Sequence, residues 1–492
     1  MRSQKSVQEG KLRTNEKGPA PQPDRKTESK WTVLLIVSIG VFMATLDASI
    51  VNISLPKISS SFNVPLSGTV EWVIIGYLVV IASTLLTLGR LSDMFGRKTP
   101  WVAGLGTFTV SSALCGASPT LGFLIVARAL QGVGGAVIMA NSPALITQAF
   151  PASERGRALG MLAGIVAIGT SAGPTLGGII TSNFSWHWIF YINIPIGVIG
   201  ITATLRFLIG HRLTGKAQQF DPAGAGLLCA CLTCLMLGMS FGRELGWVSG
   251  RIIGLFAVAL MLLPIFIFHE KRTSQPIVDL SLFANRLFSA ALISSFLSFL
   301  ALFAVMFLMP FYLKELMAMP AQKAGLMMTA VPLTISLVAP LSGWLSDRFG
   351  SRVLSSIGLA IASAALWFLG RLTLHSSLFD IIWPLVMAGF GQALFQAPNN
   401  NAIMGSVPKN RLGIASGFLA TVRVVGQGFS VALAGAIFTS LGGAHAGVIL
   451  TQTGPSASAA SVFTNAFHFA MLTCMSIAAI GAFTSLLRGG TR

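Results

Sequence analysis

The decapeptide Gly-Arg-Leu-Ser-Asp-Met-Phe-Gly-Arg-Lys at residues 89–98 returns as Gly-Trp-Leu-Ser-Asp-Arg-Phe-Gly-Ser-Arg at residues 343–352. Both copies connect two long apolar runs. Gly, Asp and Arg are also common in any short loop between helices. The shared Leu, Ser, Asp, Phe and two Gly, each followed by a basic last residue, nevertheless indicate that the chain contains two related halves.

The composition is that of a membrane protein. Apolar residues make up 53% of the chain and charged residues only 10%, far below the quarter that is usual in soluble domains. A helix needs about 20 apolar residues to cross a bilayer. We therefore predict an all-α integral membrane protein with fourteen spans. They begin near Trp31, Val70, Thr99, Thr120, Gly156, Trp186, Asp221, Gly250, Leu287, Gln322, Val353, Leu378, Gly413 and Ser461.

The distribution of positive charge predicts the topology. Fourteen spans leave both termini on one side, and the loops on the other side hold few of the 33 Lys and Arg residues. Those few are Lys57, Arg243, Arg251, Lys314, Lys323 and Arg371. The positive-inside rule then places both termini in the cytoplasm and the protein in the cytoplasmic membrane. The net charge of +18 suits anionic lipid headgroups, and its spread over separate segments argues against nucleic-acid binding.

The repeat also predicts the domain organisation. The decapeptides follow spans 2 and 10, so spans 1–6 correspond to spans 9–14 and spans 7 and 8 are an insertion. A second echo, residues 155–160 before span 5 and 411–417 before span 13, supports this register. The predicted units are a disordered cytoplasmic tail (1–30), a six-helix bundle (31–212), two inserted helices (213–270), an amphipathic cytoplasmic linker helix (271–286) and a second six-helix bundle (287–492).

Four more segments complete a family pattern. They are Leu46-Asp47 with residues 50–52 and Leu55-Pro56, Arg128 with Gln131-Gly132 and Gly134, Gly169 with Gly173-Pro174 and Gly177-Gly178, and Arg423 with Gly426. With the decapeptide, they resemble motifs of the major facilitator superfamily, and within it the fourteen-span drug:proton antiporter branch, over roughly residues 30–490. The resemblance implies a major facilitator fold, alternating access around one cavity, and proton coupling by Asp47 and Arg128.

Asp47 and Arg128 also stand out on physical grounds. Asp47 is the one acidic residue well inside a predicted span, where a carboxylate costs about 2.5–3.5 kcal/mol on insertion scales. It lies roughly 12 Å from the outer end of span 1, and Arg128 lies roughly 14 Å from the same side of span 4. The two therefore share a depth and can face one cavity. The alternative is a static ion pair that fixes helix packing.

Span 5 carries the residues that the resemblance links to export. Pro174 removes a backbone hydrogen bond and can bend its helix. Small residues let another helix approach closely, and we expect this neighbour to belong to the other half. The residues assigned to this motif are Gly169, Gly173, Pro174, Gly177 and Gly178. A generic packing seam would explain the glycines equally well.

The decapeptides themselves are interpreted as a cytoplasmic latch. Gly89 permits close helix contact, and Asp93 can cap the N-terminus of a neighbouring helix. Arg97 and Lys98 are expected to pair with Asp93 or with lipid headgroups. Asp347 and Arg352 would form a weaker counterpart. The full predicted latch is Gly89, Asp93, Gly96, Arg97, Lys98, Asp347 and Arg352, and the alternative is a basic turn that only sets topology.

Candidate substrate residues are spread over spans 2, 12 and 13. Trp72 and Tyr77, with Glu71 beside them, would offer an aromatic face to an apolar cation, although Trp72 also suits an interfacial anchor. The full set of cavity candidates is Glu71, Trp72, Tyr77, Gln396, Asn399 and Arg423.

Other functions find little support. Cys229, Cys231 and Cys234 cluster in span 7 without His or acidic neighbours there, so we expect packing and no metal site. No Walker A sequence and no nucleophile–base set is present, so we expect neither an ATP-driven pump nor an enzyme, and no cofactor. The predicted function is proton-coupled export of small amphipathic compounds, with substrate, protons and the bilayer as partners. The alternatives are export of a specific metabolite or siderophore, a proton-independent facilitator, and a transport-inactive sensor on the same fold.

Overall fold

The computed structural model describes residues 29–64, 68–209, 220–453 and 456–488. Residues 1–28 of the predicted tail lie outside this part of the chain, as do residues 210–219 and 489–492. The described residues contain α-helices, short 3-10 turns and one π-helical turn, and no strand. The α-helices are α1 Lys30–Ser61, α2 Trp72–Phe95, α3 Lys98–Gly116, α4 Leu121–Ala149, α5 Arg155–Asn183, α6 Trp188–Tyr191, α7 Asn193–Phe207, α8 Pro222–Leu245, α9 Gly250–Arg272, α10 Arg286–Phe311, α11 Ala321–Met328, α12 Ala330–Phe349, α13 Ser351–Gly370, α14 Leu378–Gly405, α15 Leu412–Ser440, α16 Gly443–Thr453 and α17 Ala457–Leu486.

Every predicted span coincides with one of these helices or with a consecutive pair of them. Within the described residues, 13 helices are long and apolar enough to cross a membrane. The remaining predicted span, from Thr99, is α3, whose 19 residues include Lys98 and several Ser, Thr and Gly that lower its mean hydropathy. It packs against α4 and α7 inside the first bundle. Helix α16 was not predicted from the sequence.

Several helices begin where a polar side chain caps the first turn. Thr120, Asp221, Asn285 and Ser377 each accept a hydrogen bond from a backbone N–H at the start of the following helix. Free N–H groups at a helix start otherwise lack partners in a membrane. These caps explain why helices with little amphipathic pattern begin at defined residues.

The two halves meet through two equivalent helix pairs. Helix α5 of the first half packs along α12 of the second, and α2 packs along α15. In the register of the sequence repeat, α2 corresponds to α12 and α5 to α15, so the two contacts are related by the repeat. The inserted helices α8 and α9 pack together, and α8 also contacts α2 and α15.

The described ends of the chain lie on one face of the bundle. Lys30, at the start of α1, pairs with Glu154, which precedes α5. The start of α5 lies against Asp347, and nearby Arg352 donates to the carbonyl of Leu486 at the end of α17. We call this the terminal face and the opposite one the distal face.

The linker between the halves differs from its prediction. Helix α9 continues to Arg272, and the following segment contains only a 3-10 turn, Leu280–Ala284, where an amphipathic α-helix was expected. Pro276 lacks an N–H, and Asp279 bonds to the N–H of Ser281, which ends any continuous helix here. Burial raises the pKa of Asp279, but hydrogen bonds from Ser281 and the charge of Arg411 outweigh it and lower the pKa overall. The linker is thereby tied to the start of α15.

Candidate functional site

The structure brings Asp47 and Arg128 together in the interior of the first bundle. Asp47 on α1 is 0% exposed and Arg128 on α4 is 1% exposed. Arg128 Nη1 donates to Asp47 Oδ2 at 2.5 Å. The shared depth of the two residues, estimated from the sequence, corresponds to a direct contact.

Two amides complete the coordination of the Asp47 carboxylate. Gln131 Nε2 and Asn193 Nδ2 donate to Asp47 Oδ1 at 2.9 and 2.8 Å. Gln131 is held in turn by Arg128 Nη1, at 2.5 Å from its Oε1. All three hydrogen-bonding neighbours of Asp47 in the described part of the chain donate to its carboxylate, the two amides through their nitrogens. The arrangement therefore fits an ionised carboxylate, bound at once by α1, α4 and α7.

Arg128 is oriented by its surroundings on α2. Its Nε donates to the Val73 carbonyl at 3.0 Å, and its guanidinium lies over the Tyr77 ring, 4.1 Å from the centroid. Tyr77 is itself 1% exposed and lines the central cavity, and its hydroxyl has no hydrogen-bond partner among the described residues. Tyr77 thus separates the Asp47–Arg128 pair from the cavity.

A cavity of about 910 Å³ lies between the two halves. Its wall is mostly apolar, with Met and Phe side chains from both halves and from the inserted pair. The charged residues among its described lining are Glu71 and Arg423. Neither Asp47 nor Arg128 lines it, so the pair is sealed from the cavity in this conformation.

Four of the six predicted cavity residues line this space. They are Glu71, Tyr77, Gln396 and Arg423. Trp72 instead packs on Phe241 of α8, with ring centroids 5.2 Å apart. Asn399 is 0% exposed and accepts a hydrogen bond from Arg488. Neither side chain lines the cavity in this structure, in contrast to the prediction from the sequence.

The first decapeptide joins the two halves at the terminal face. Both oxygens of Asp93 accept hydrogen bonds from backbone N–H groups at the start of α15, those of Gly413 at 2.8 Å and Ile414 at 3.0 Å. A Cβ atom at Gly89 would lie 2.5 Å from the Gly413 carbonyl oxygen, so glycine permits this approach. Gly96 ends α2 with φ +80°, a conformation that favours glycine. We call this contact the α2–α15 clasp.

The second decapeptide makes the equivalent contact from the second half to the first. Asp347 accepts from the N–H groups of Gly156 at 2.8 Å and Arg157 at 2.9 Å, at the start of α5. Gly350 ends α12 with φ +82°, like Gly96. Asn401 adds a hydrogen bond to Asp347 at 3.2 Å. This α12–α5 clasp is as well formed as the α2–α15 clasp, whereas a weaker counterpart was expected.

The basic residues of the decapeptides bind backbone carbonyls. Arg97 contacts Asp93 at 3.4 Å and also donates to carbonyls of α4 and of the segment before α15. Lys98 donates to backbone carbonyls at the end of α7. The sequence had predicted that it pairs with Asp93 or with lipid headgroups. Arg352 donates to Leu486 and not to Asp347. Cations at helix C-termini are favoured by the helix dipole.

Helix α5 contacts both halves, with a different glycine set for each. The predicted motif glycines Gly169, Gly173 and Gly177 lie against Thr45, Ser49 and Ile50 of α1, in the same half. The prediction that this stretch contacts the other half was therefore wrong. Three earlier glycines, 13 residues or about 20 Å nearer the terminal face, make that contact instead. They are Gly156, Gly160 and Gly164.

Two residues of the predicted span 5 motif, Pro174 and Gly178, do not lie in such a close helix contact. No atom lies within 4 Å of a Cβ built at Gly178. Pro174 is exposed inside the helix, which continues through it from Arg155 to Asn183. Their surroundings do not explain why these residue types stand here.

Replacing Gly160 by Ala tests the contact between α5 and α12. The added methyl would lie well inside van der Waals distance of the Ala339 carbonyl oxygen, a backbone atom that cannot turn aside. We expect the terminal face to open and transport to fall about tenfold. Thiol labelling of buried terminal-face positions measures the opening. Gly178→Ala, in the same helix with open space, is the matched control, and equal effects of both variants would contradict the packing account.

Sequence reasoning missed two parts of the Asp47 site. Asn193 begins α7 as a single amide among apolar residues, which gives no periodic signal. Gln131 was noted only as part of the span 4 motif, and its contact with Asp47 was not anticipated. A second polar side chain at the depth of Asp47 would have been the available clue in both cases.

The comparison with known families agrees with this architecture. The chain matches the family model described as Major Facilitator Superfamily over residues 37–431, and again over 291–488. The second match starts in α10, where the second half begins. The chain therefore belongs to the Major Facilitator Superfamily and is a multi-pass membrane transporter of small molecules.

Two curated relatives and one solved structure refine the comparison. The chain is 37% identical over 414 residues to the riboflavin transporter RibZ of Clostridioides difficile, covering 84% of this chain and 88% of that protein. It is 32% identical over 408 residues to the multidrug resistance protein Stp of Mycobacterium tuberculosis, covering 83% and 75%. The proton:xylose symporter XylE superposes with a TM-score of 0.65 at 13% identity, covering 92% and 94%, and shows the shared fold.

Proposed function

We propose that this transporter exports small amphipathic compounds in exchange for protons, as the fourteen-span drug:proton antiporters do. The observation that carries the proposal is the buried Asp47 carboxylate, which is held only by donors from α4 and α7 and lies one residue layer from the central cavity. An ionisable group at membrane depth beside a cavity is the usual element of a proton pathway.

Protonation of Asp47 would act on helix packing. Its charge holds Arg128, Gln131 and Asn193 to α1. A neutral acid accepts these donors less strongly, so α1 would be released from α4 and α7. Since α1 also packs along α5, the change would reach the helix that forms the α12–α5 clasp.

The orientation follows from the charge distribution. The basic residues concentrate on the terminal face, so we assign that face to the cytoplasm and the protein to the cytoplasmic membrane. The closed clasps then block the cytoplasmic side, and the cavity extends toward the outside along Glu71. With this orientation the conformation is outward-facing, the state from which an exporter releases substrate.

The second candidate function is transport of one specific metabolite. The similarity to a riboflavin transporter favours it, whereas the similarity to a multidrug resistance protein favours a broad substrate range. The cavity volume of about 910 Å³ accommodates either kind of compound.

The experiment is substrate uptake into proteoliposomes of the full-length chain. Riboflavin and a neutral diethylaminocoumarin carboxamide serve as probes, because a pH gradient alone does not concentrate a neutral compound. An antiporter accumulates a probe when the interior is acidic. Accumulation with an acidic exterior would indicate symport, and equilibration without accumulation would indicate a facilitator. Either result would contradict the proposal.

Changing Arg128 separates coupling from packing. Arg128→Gln leaves the Asp47 charge buried without its cation, which typically destabilises a protein by about 3–5 kcal/mol. The double variant Asp47→Asn with Arg128→Gln removes both charges, so we expect stability to recover. We expect accumulation against a pH gradient to stay at least tenfold below wild type in both variants.

Thermal unfolding and proteoliposome uptake are measured side by side on the same preparations. Arg128→Lys should recover only part of the uptake, since an ammonium cannot bind Asp47, Gln131 and the Val73 carbonyl together. If the double variant regains gradient-driven accumulation, the pair is a static packing element.

A further inference from the structure

Arg423 is a cation in the central cavity that has no acidic partner among the residues the structure describes. It lies about three turns into α15 from its terminal-face end, roughly 16 Å deep. Its described hydrogen bond goes to the sulfur of Met139 at 3.4 Å, a weak acceptor. It takes part in no salt bridge within the described ranges of the chain. Its remaining guanidinium donors are available to a molecule in the cavity.

The other charged lining residue, Glu71, forms no ion pair with Arg423 in the described part of the chain. Glu71 precedes α2, a helix of 24 residues or about 36 Å, at its distal end. The clasp places Gly89 of α2 level with Gly413 of α15, so Glu71 lies about 12 Å farther toward the distal face than Arg423. The middle of the cavity consequently carries positive charge.

The features expected to bind a cation are not available there. Trp72 packs against Phe241 outside the cavity. One face of the Tyr77 ring is covered by the Arg128 guanidinium, whose positive charge disfavours a second cation on the same ring. Apart from Glu71 at the distal end, the polar side chains that share the cavity with Arg423 are neutral amides and hydroxyls, those of Asn52, Gln396 and Gln427 among them.

We propose that Arg423 selects substrates carrying an anionic or strongly accepting oxygen group, such as a carboxylate, phenolate or imide, and that the cavity disfavours organic cations. This inference rests on the proposed transport function and specifies its substrate class. Apolar Met and Phe side chains hold the body of the compound, and Arg423 binds its acceptor group with the strength of a charge-assisted hydrogen bond.

The test is equilibrium binding to the full-length protein in nanodiscs. Three probes share one fluorophore, and they are a diethylaminocoumarin carboxylate, its carboxamide and its quaternary ammonium analogue. We expect the affinity to decrease in the order carboxylate, carboxamide, ammonium, and the first and last affinities to differ at least tenfold. Arg423→Gln should weaken carboxylate binding about tenfold or more, change carboxamide binding less than threefold, and improve ammonium binding. Arg423→Lys should retain most of the preference for the carboxylate.

The matched control is Arg371→Gln, which removes the same charge from the distal face, where Arg371 lies on the Trp367 ring. It should leave the order of binding unchanged. Wild-type protein that binds the ammonium probe as tightly as the carboxylate, or an Arg423→Gln variant with unchanged carboxylate binding, would overturn the inference. Binding needs no pH gradient, so the binding result can be interpreted even if proton coupling fails in proteoliposomes.

Discussion

Replacing Asp47 by Asn is expected to abolish accumulation of substrate against a pH gradient, with a loss of stability similar to that of Arg128→Gln because the Arg128 charge stays buried without its anion. The amide keeps the size of the side chain and can still accept from Arg128, Gln131 or Asn193, but it cannot gain or lose a proton. The substitution therefore removes the titrating group with little change in the shape of the side chain. We expect gradient-driven accumulation to fall at least a hundredfold, to the level of empty vesicles.

The control for this variant is built into the assay. Exchange of labelled for unlabelled probe at equal pH requires alternation of the loaded carrier and no net proton movement. Asp47→Asn should retain it within a few-fold of wild type. Gradient-driven accumulation that survives in Asp47→Asn would remove Asp47 as the proton carrier, and loss of both activities would indicate a structural role.

Replacing Asp93 by Asn should open the terminal face. The two hydrogen bonds of Asp93 to the start of α15 become at most one, since the Asn amide nitrogen faces an N–H donor. A lost helix cap of this kind costs about 1–2 kcal/mol, which shifts a two-state equilibrium about five- to thirtyfold. Asp347→Asn should act equally, and the two variants together should shift the equilibrium by roughly the product.

Accessibility of single cysteines measures this shift. In a background without the native cysteines, Ser416→Cys reports on the terminal face, where Ser416 is buried one turn beyond the clasp. Asn52→Cys reports on the distal end of the cavity, which Asn52 lines. We expect labelling to rise at the first position and fall at the second. Asp380→Asn, which weakens a capping box at the start of α14, should change neither. Unchanged accessibility in the Asp93 and Asp347 double variant would contradict the clasp account.

The apolar runs were sufficient to predict the all-helical membrane fold and the position of its long helices. The depth of a residue also follows from the sequence, because each helix advances by a constant rise. That is why Asp47 and Arg128 were expected to meet. When a helix is apolar on all sides, its sequence does not predict the direction in which a given side chain points. Trp72, placed in the cavity, points instead toward α8.

The clasps illustrate a second limit of sequence reasoning. Asp93 was expected to cap some helix, and the echo before spans 5 and 13 was recognised, but the two were not connected. The groups that Asp93 and Asp347 bind are backbone N–H groups, which every residue except proline carries. The recurring side-chain sequence therefore marks only one partner of each contact. The pairing emerges when α2 is seen beside α15 and α12 beside α5.

The central claim is that Asp47 carries the protons that this transporter exchanges for substrate, and proton flux in proteoliposomes tests it most directly. Vesicles with an acidic interior contain a pH-sensitive dye, and the neutral coumarin carboxamide, which carries no proton of its own, is added outside. We predict that the probe accelerates the loss of internal acid in wild-type vesicles and has no effect in Asp47→Asn vesicles. Substrate uptake without any probe-dependent proton flux in the wild type would contradict the account.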